Sequence, residues 1–238
     1  MYLYYPHQLI LCHLSFVLKM DKCYTEDQVD LFHYPARILV AGFSNSGKSE
    51  LVTKIVEKYH GKFTHIIVCG VSQHPLQKIE AIKNKLNVYQ NIIDPLSEVE
   101  EGEKSSILFI LDDIFLEAAE SKVVANAFIK GRHNSLSVIM VTQNVYFQGK
   151  YARTISLNCT HYILLRMRDL NQIECLSRQI HGSSLSKKFV EVYKTAVLQK
   201  PFTYLLVDLS INTHEDLHLR SLIANEASCE VVYLKWKD

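Results

Sequence analysis

The sequence predicts an α/β fold, a mostly parallel central sheet flanked by helices, and three observations carry that expectation. Short apolar runs of strand length alternate with helical patterns, the signature of βαβ units. The interiors of those runs are nearly continuous in Ile, Leu, Val and Phe, as in strands covered on both faces. A G-x-x-x-x-G-K-S loop at residues 42–49 follows one such run and precedes an amphipathic stretch, which is where a phosphate-binding loop belongs.

In chain order, strands are expected over Arg37–Ala41, His65–Cys69, Ile107–Leu111, Ser137–Thr142 and His161–Arg166. Later runs at Phe202–Asp208 and Glu230–Lys235 extend the sheet. Helical periodicity covers Lys48–Tyr59, Gln77–Asn84, Glu117–Gly131, Leu170–Ile180 and Ser186–Leu198. The acidic stretch Ser97–Ser106 reads as a solvated loop or helix end before the third strand. No repeat or linker divides the 238 residues, a length that suits one sizeable core. Residues 1–33 read as an N-terminal extension and 34–238 as one domain built around the phosphate-binding loop.

Within the extension, the apolar stretch 9–18 is too short to span a bilayer. It also lacks the basic flank and small-residue cleavage site of a signal peptide. It reads either as a first element packed on the core or as a lead-in to a chain that starts at Met20. The second reading makes residues 1–19 dispensable. No stable membrane insertion is expected.

The net charge of +1 means that any nucleic-acid contact must come from a local patch, not from the field of the whole surface. Six cysteines at 12, 23, 69, 159, 175 and 229 form no C-x-x-C pair, which points to reduced thiols and away from zinc ribbons or a disulfide framework. His214-Glu215-Asp216-Leu217-His218 fits H-E-x-x-H, but it is short, follows a turn-like segment and has no further ligand pattern downstream. A solvated helix end is expected there, not a zinc site.

Gly42, Phe43, Ser44, Asn45, Ser46, Gly47, Lys48 and Ser49 match the phosphate-loop pattern in full. Glycines let successive N–H groups curl around phosphate oxygens, and the following helix adds the positive end of its dipole. Lys48 is expected to reach the β- and γ-phosphates, and Ser49 to offer its hydroxyl to Mg²⁺.

The run 106–113, SILFILDD, ends in two adjacent acids. Asp112 is the candidate for holding Mg²⁺ through a water ligand, and Asp113 for the base that orients and deprotonates the attacking water. A guanine-reading N-K-x-D is missing: Asn84-Lys85-Leu86-Asn87 ends in Asn and lies too early, so ATP is the expected nucleotide. Gln143, at the tip of the following strand, is placed to touch both the γ-phosphate and the water. Two basic segments border this strand: Lys130-Gly131-Arg132-His133-Asn134 just before it, and Lys150 to Arg153 after it, with Tyr146, Phe147 and Tyr151 nearby. Either could supply an arginine finger or phosphate contacts, and spacing alone leaves the choice open.

Together these segments resemble the genome-packaging ATPases of the FtsK/HerA superfamily, in particular those of poxvirus-like large DNA viruses, virophages and Polinton/Maverick elements. The resemblance runs through RILVAGFSNSGKS, ILFILDD, KGRHNSLSVIMVTQN, GKYARTISLN and HYILLRMRDLNQI to FTYLLVDLS, LHLRSLI and EVVYLKW, over roughly residues 34–235. It implies a P-loop NTPase with a RecA-like (ASCE) core, in which the loop-bearing and acid-bearing strands flank the Gln143 strand. It implies ATP and Mg²⁺ as cofactors, and a homo-oligomeric ring, pentamer or hexamer, pumping double-stranded DNA into a capsid at a portal-like vertex. The host nucleus, a viral assembly site or the virion would be its location. Lys48 and Ser49 would hold nucleotide and metal, Asp112 metal, Asp113 water, with Gln143 as sensor and Arg132, ahead of Arg153, as finger. The chain departs from the family pattern at Asp113, where many members carry Glu. A HerA-type translocase or helicase of recombination or repair, and a non-catalytic nucleotide-binding scaffold, are the competing readings.

Overall fold

The computed structural model of the chain describes residues 23–24, 32–70, 72–99, 105–198, 201–221 and 230–232. The apolar stretch 9–18, most of the expected extension, the middle of the acidic 97–106 loop and residues 233–235 lie outside them.

Among the described residues, ten strands form one sheet: β1 (Cys23–Tyr24), β2 (Arg37–Ala41), β3 (His65–Cys69), β4 (Leu86–Tyr89), β5 (Ile107–Leu111), β6 (Leu136–Thr142), β7 (His161–Leu164), β8 (Leu205–Asp208), β9 (Leu219–Ser221) and β10 (Glu230–Val232). Their spatial order is β1-β10-β9-β8-β7-β2-β6-β5-β3-β4. Strands β7, β2, β6, β5, β3 and β4 are parallel neighbours, whereas β8, β9, β10 and β1 add antiparallel. The loop-bearing β2 and acid-bearing β5 do flank β6, as the resemblance implied.

Alternate residues of the central strands feed two apolar layers. Ile38, Val40, Ile110 and Val141 face the helix α1 (Lys48–Tyr59), which buries Leu51, Val52, Ile55 and Val56 against them. Leu39, Phe109, Leu111, Val138 and Met140 face the other layer, covered by α2 (Phe115–Glu120), α3 (Lys122–Lys130), α4 (Ala152–Asn158), α5 (Leu170–His181) and α6 (Ser186–Leu198). Every residue of β5 and β6 is buried, which is why those runs lack alternation.

The structure corrects several expected elements. The helix expected over Gln77–Asn84 is two 3-10 turns, Pro75–Lys78 and Glu80–Lys85. Ile79 between them is extended, so the backbone cannot propagate an α-helix through it. The helix expected over Glu117–Gly131 is α2 and α3, broken at Ser121, whose hydroxyl accepts the Val124 N–H at 3.3 Å and caps α3. Strands β4 and β9 and helix α4 were not expected, being too short for a periodic signal. The His214–His218 segment holds a 3-10 turn, Glu215–Leu217, so the α-helical register that an H-E-x-x-H site needs is not formed. Cys69 and Cys159 are buried free thiols, and Cys175 is a half-buried one. No helix among the described residues is long and apolar enough to cross a membrane.

A charged cluster ties β7, β8 and β9 together at the end of the sheet where β7 begins. Asp208 Oδ2 accepts from Arg220 Nη2 at 2.7 Å and from the Thr213 hydroxyl at 2.8 Å. Its Oδ1 accepts the Ser210 N–H at 2.9 Å and lies 3.2 Å from His161 Nε2. Burial alone would raise the Asp208 carboxyl, but the His161 contact and these hydrogen bonds hold it below its ordinary value. A carboxyl depressed in the folded state stabilises the fold above its unfolded value of about 3.9, and that contribution fades as pH falls through the lower, folded value. Replacing Asp208 by Asn removes the carboxylate that faces the buried Arg220 and His161 and is expected to cost about 3–5 kcal/mol at pH 7 in a urea unfolding experiment. The same variant is expected to lose less further stability than the wild type between pH 4 and pH 2.

Candidate functional site

The carboxyl ends of β2, β5 and β6 converge on one cleft of about 390 Å³, lined among others by Lys48, Ser49, Gln73, Asp112, Asp113 and Gln143. The loop leaves β2 pinned on both sides: Gly42 N–H donates to Thr142 O at 3.2 Å and Phe43 N–H to Arg166 O at 3.1 Å. Asn45 and Gly47 then take left-handed φ values of 62° and 91°, curling the chain into the first turn of α1.

Lys48 folds over this curl and donates to Gly42 O at 2.8 Å and Phe43 O at 3.0 Å, which holds its ammonium inside the loop. Burial draws the Lys48 pKa below its ordinary value, against the opposing attraction of Asp112 and Asp113. Ser49 Oγ donates to Asp112 Oδ2 at 2.8 Å, joining the start of α1 to the end of β5. A hydroxyl and a carboxylate meeting at one point form an all-oxygen pair of the kind that hard cations take, so this corner fits Mg²⁺.

Asp112 is only 5% exposed. Burial pushes its carboxyl up, yet contacts from His74 and Ser49 and the Lys48 charge leave it below the ordinary value. Asp113, one residue on, is exposed and adopts φ 61°, a left-handed backbone that Asp tolerates better than most residues. The left-handed turn puts the two neighbouring acids in different settings, one buried and one in the open cleft.

The structure adds two residues that the sequence did not single out. His74, fully enclosed, accepts the Leu76 N–H on Nδ1 at 3.2 Å, so its ring proton sits on Nε2. That nitrogen lies 3.3 Å from Asp112 Oδ2, a close contact short of straight hydrogen-bond geometry. The sequence signal is His-Pro-x-Gln, a capping pattern in which Gln77 Oε1 accepts the His74 N–H at 3.0 Å; it announces a turn but not the acid beneath it. Gln172 on α5 holds the segment after Gln143: its Oε1 accepts the Val145 N–H at 2.8 Å, and its amide donates to Asn144 Oδ1 at 2.9 Å.

Arg132 is not brought to this cleft. It sits in a 3-10 turn, Gly131–Asn134, just before β6, near Arg37 at the opposite edge of the sheet. Arg153 lies in the first turn of α4.

Gly70 shows how tightly the acid is held. Its φ is 127°, and a Cβ there would stand 1.8 Å from the Asp112 carbonyl oxygen. Gly70→Ala is therefore expected to cost about 2–4 kcal/mol in denaturant unfolding. Gly61→Ala, with nothing within 4 Å of its added Cβ, serves as the control and should stay within about 0.5 kcal/mol of wild type.

A family model described as "Poxvirus A32 protein" matches residues 25–228. A comparison with curated proteins returns no match. Among solved structures, the genome packaging NTPase B204 from Sulfolobus turreted icosahedral virus 2, in complex with ATP-gammaS, is similar at TM-score 0.51 and 19% identity, over 76% of this chain and 96% of that one. The same protein in complex with sulfate gives TM-score 0.54 and 15% identity, over 76% and 95%. The pCW3 conjugation coupling protein TcpA with ATPgS gives 0.50 and 13%, over 78% of this chain and 60% of that one. At such identities the likeness establishes the α/β fold, and the family match covers the phosphate loop, both acids and the sheet strands β2 to β9. The resemblance to viral packaging ATPases is borne out, and the chain belongs to the poxvirus A32 protein family.

Proposed function

We propose that the chain is an ATP-driven translocase that moves double-stranded DNA into a viral capsid, with ATP bound by residues 42–49. The observation that carries the proposal is the convergence of Lys48, Ser49, Asp112, Asp113 and Gln143 on a single cleft in a chain of this family. Solved relatives of the same fold include a genome packaging NTPase in complex with ATP-gammaS.

In this reading Lys48 binds the terminal phosphates, and the loop amides and the α1 N-terminus cradle the oxygens between them. Ser49 and Asp112 would hold Mg²⁺, which when bound neutralises charge on the phosphate oxygens. His74 positions Asp112. Asp113, open to the cleft, orients the attacking water and takes its proton. Gln143 contacts the water side of the cleft, and through Gln172 its loop is continuous with α5. Arg132, at the far edge of its own subunit, would serve a neighbouring copy in a ring, which supports a role in trans. ATP is favoured over GTP because the chain has no N-K-x-D.

ATP hydrolysis by the pure protein, with and without double-stranded DNA and alongside its oligomeric mass, tests the proposal. Turnover stimulated by DNA in a ring-sized assembly is expected, and persistent absence of turnover with intact nucleotide binding would leave a scaffold. Lys48→Ala and Asp113→Asn should each lower kcat about a hundred- to thousandfold. Arg132→Ala should impair turnover only in the assembled, DNA-bound form; normal turnover there would remove it as the finger. His74→Ala should raise the Mg²⁺ concentration for half-maximal turnover about ten- to hundredfold, with His74→Gln recovering part of the loss.

A further inference from the structure

On the side of the loop away from Asp112 and Gln143, a second cleft of about 260 Å³ opens where β8 begins. Phe43, Ser46, Arg166, Pro201 and Phe202 line it. Phe202 is the unusual member: its φ is 64°, a left-handed backbone that bulky side chains rarely adopt, and it is 66% exposed. Turn chemistry at a positive φ favours Gly or Asn and does not call for an aromatic ring. Its ring lies along the backbone of Gly47, where an added Cβ would stand 2.8 Å from Phe202 Cδ1 and 3.4 Å from Cγ. An exposed aromatic held in a strained conformation beside a phosphate loop is the kind of outlier that marks a binding site.

A second observation comes from Ser46, which lines the same cleft. It is 6% exposed, and its hydroxyl has no hydrogen-bond partner among the described residues. A buried hydroxyl of this kind suits a polar oxygen of a ligand.

We propose that Phe202 is the platform on which the base of a bound purine nucleoside triphosphate stacks, with the ribose beside Gly47 and Ser46. The inference rests on the phosphate-loop reading above and adds where the rest of the nucleotide goes. The hydrolytic groups occupy the β5–β6 side of the loop, so a base one sugar away from the phosphates leaves by the β7–β8 side, where Phe202 stands. Stacking on an aromatic face engages any flat base and does not read its edge, so the platform strengthens binding without selecting adenine over guanine.

Calorimetric titration of the full chain with ATPγS and with inorganic tripolyphosphate, both with Mg²⁺, tests this. Phe202→Ala is expected to weaken ATPγS binding about five- to hundredfold, leave tripolyphosphate within twofold, and weaken GTPγS as much as ATPγS. Phe202→Leu keeps apolar bulk against Gly47 without a π face and should behave like the Ala variant, whereas Phe202→Trp should match or exceed wild type. Equal losses for both ligands would mean that Phe202 only shapes the loop, and no loss for either would mean that the base lies elsewhere; each overturns the platform. A Leu variant indistinguishable from wild type also overturns it. Failure of the wild type to bind either ligand would instead overturn the phosphate-loop reading, and the platform with it.

Discussion

A carboxylate buried at the end of an all-apolar strand sets the terms for everything around it. Asp112 closes β5, whose five residues are all buried, and a charge in that position costs several kcal/mol unless donors surround it. The stabilising groups come from separate parts of the chain: the Ser49 hydroxyl from α1 and the His74 imidazole contact from the turn after β3, with the Lys48 charge close behind. Satisfying one acid therefore fixes the relative positions of β3, β5 and α1. Gly70 completes the arrangement from the backbone side, since only a residue without a Cβ lets the end of β3 pass so near the Asp112 carbonyl.

How much of this was legible follows from where each contact lives in the sequence. The phosphate loop could be read because its geometry depends on a fixed spacing of glycines, Lys and Ser within eight residues, and β5 and β6 because continuous apolar runs mean burial on both faces. His74 and Gln172 could not, because their value comes from partners far along the chain that only the fold brings near. Ser121 was a readable signal that periodicity overrode: a Ser inside a long helical pattern is also a cap, and here it starts a new helix. Arg220 carries no local signal of burial, yet it is fully buried against Asp208. The strand pairing that creates that environment is long-range and antiparallel, and no local pattern announces it.

The two halves of the sheet answer to different demands. The parallel half carries the loop, the acids and Gln143 at its carboxyl edge, where helix N-termini and strand ends meet. The antiparallel half widens the sheet beyond β7 and is locked by ionic and polar contacts at the opposite edge, remote from the cleft. Tyr193 joins α6 to the strand end beside the loop: its hydroxyl donates to Leu165 O at 2.9 Å and accepts the Met167 N–H at 2.7 Å. Through that bond and through Gln172, the segments bordering the loop are tied to α5 and α6 rather than left as free connections.

The left-handed backbone at Asp113 bears on the choice of acid at this position. A glutamate there would extend the acid by one methylene, but it would place a longer side chain on a φ that Asp and Asn accept more readily. Reach and backbone compatibility thus pull in opposite directions at this position. The shorter acid is the one that suits the turn. Lengthening the acid in the laboratory would alter the turn as well as the chemistry, and the two effects would arrive together.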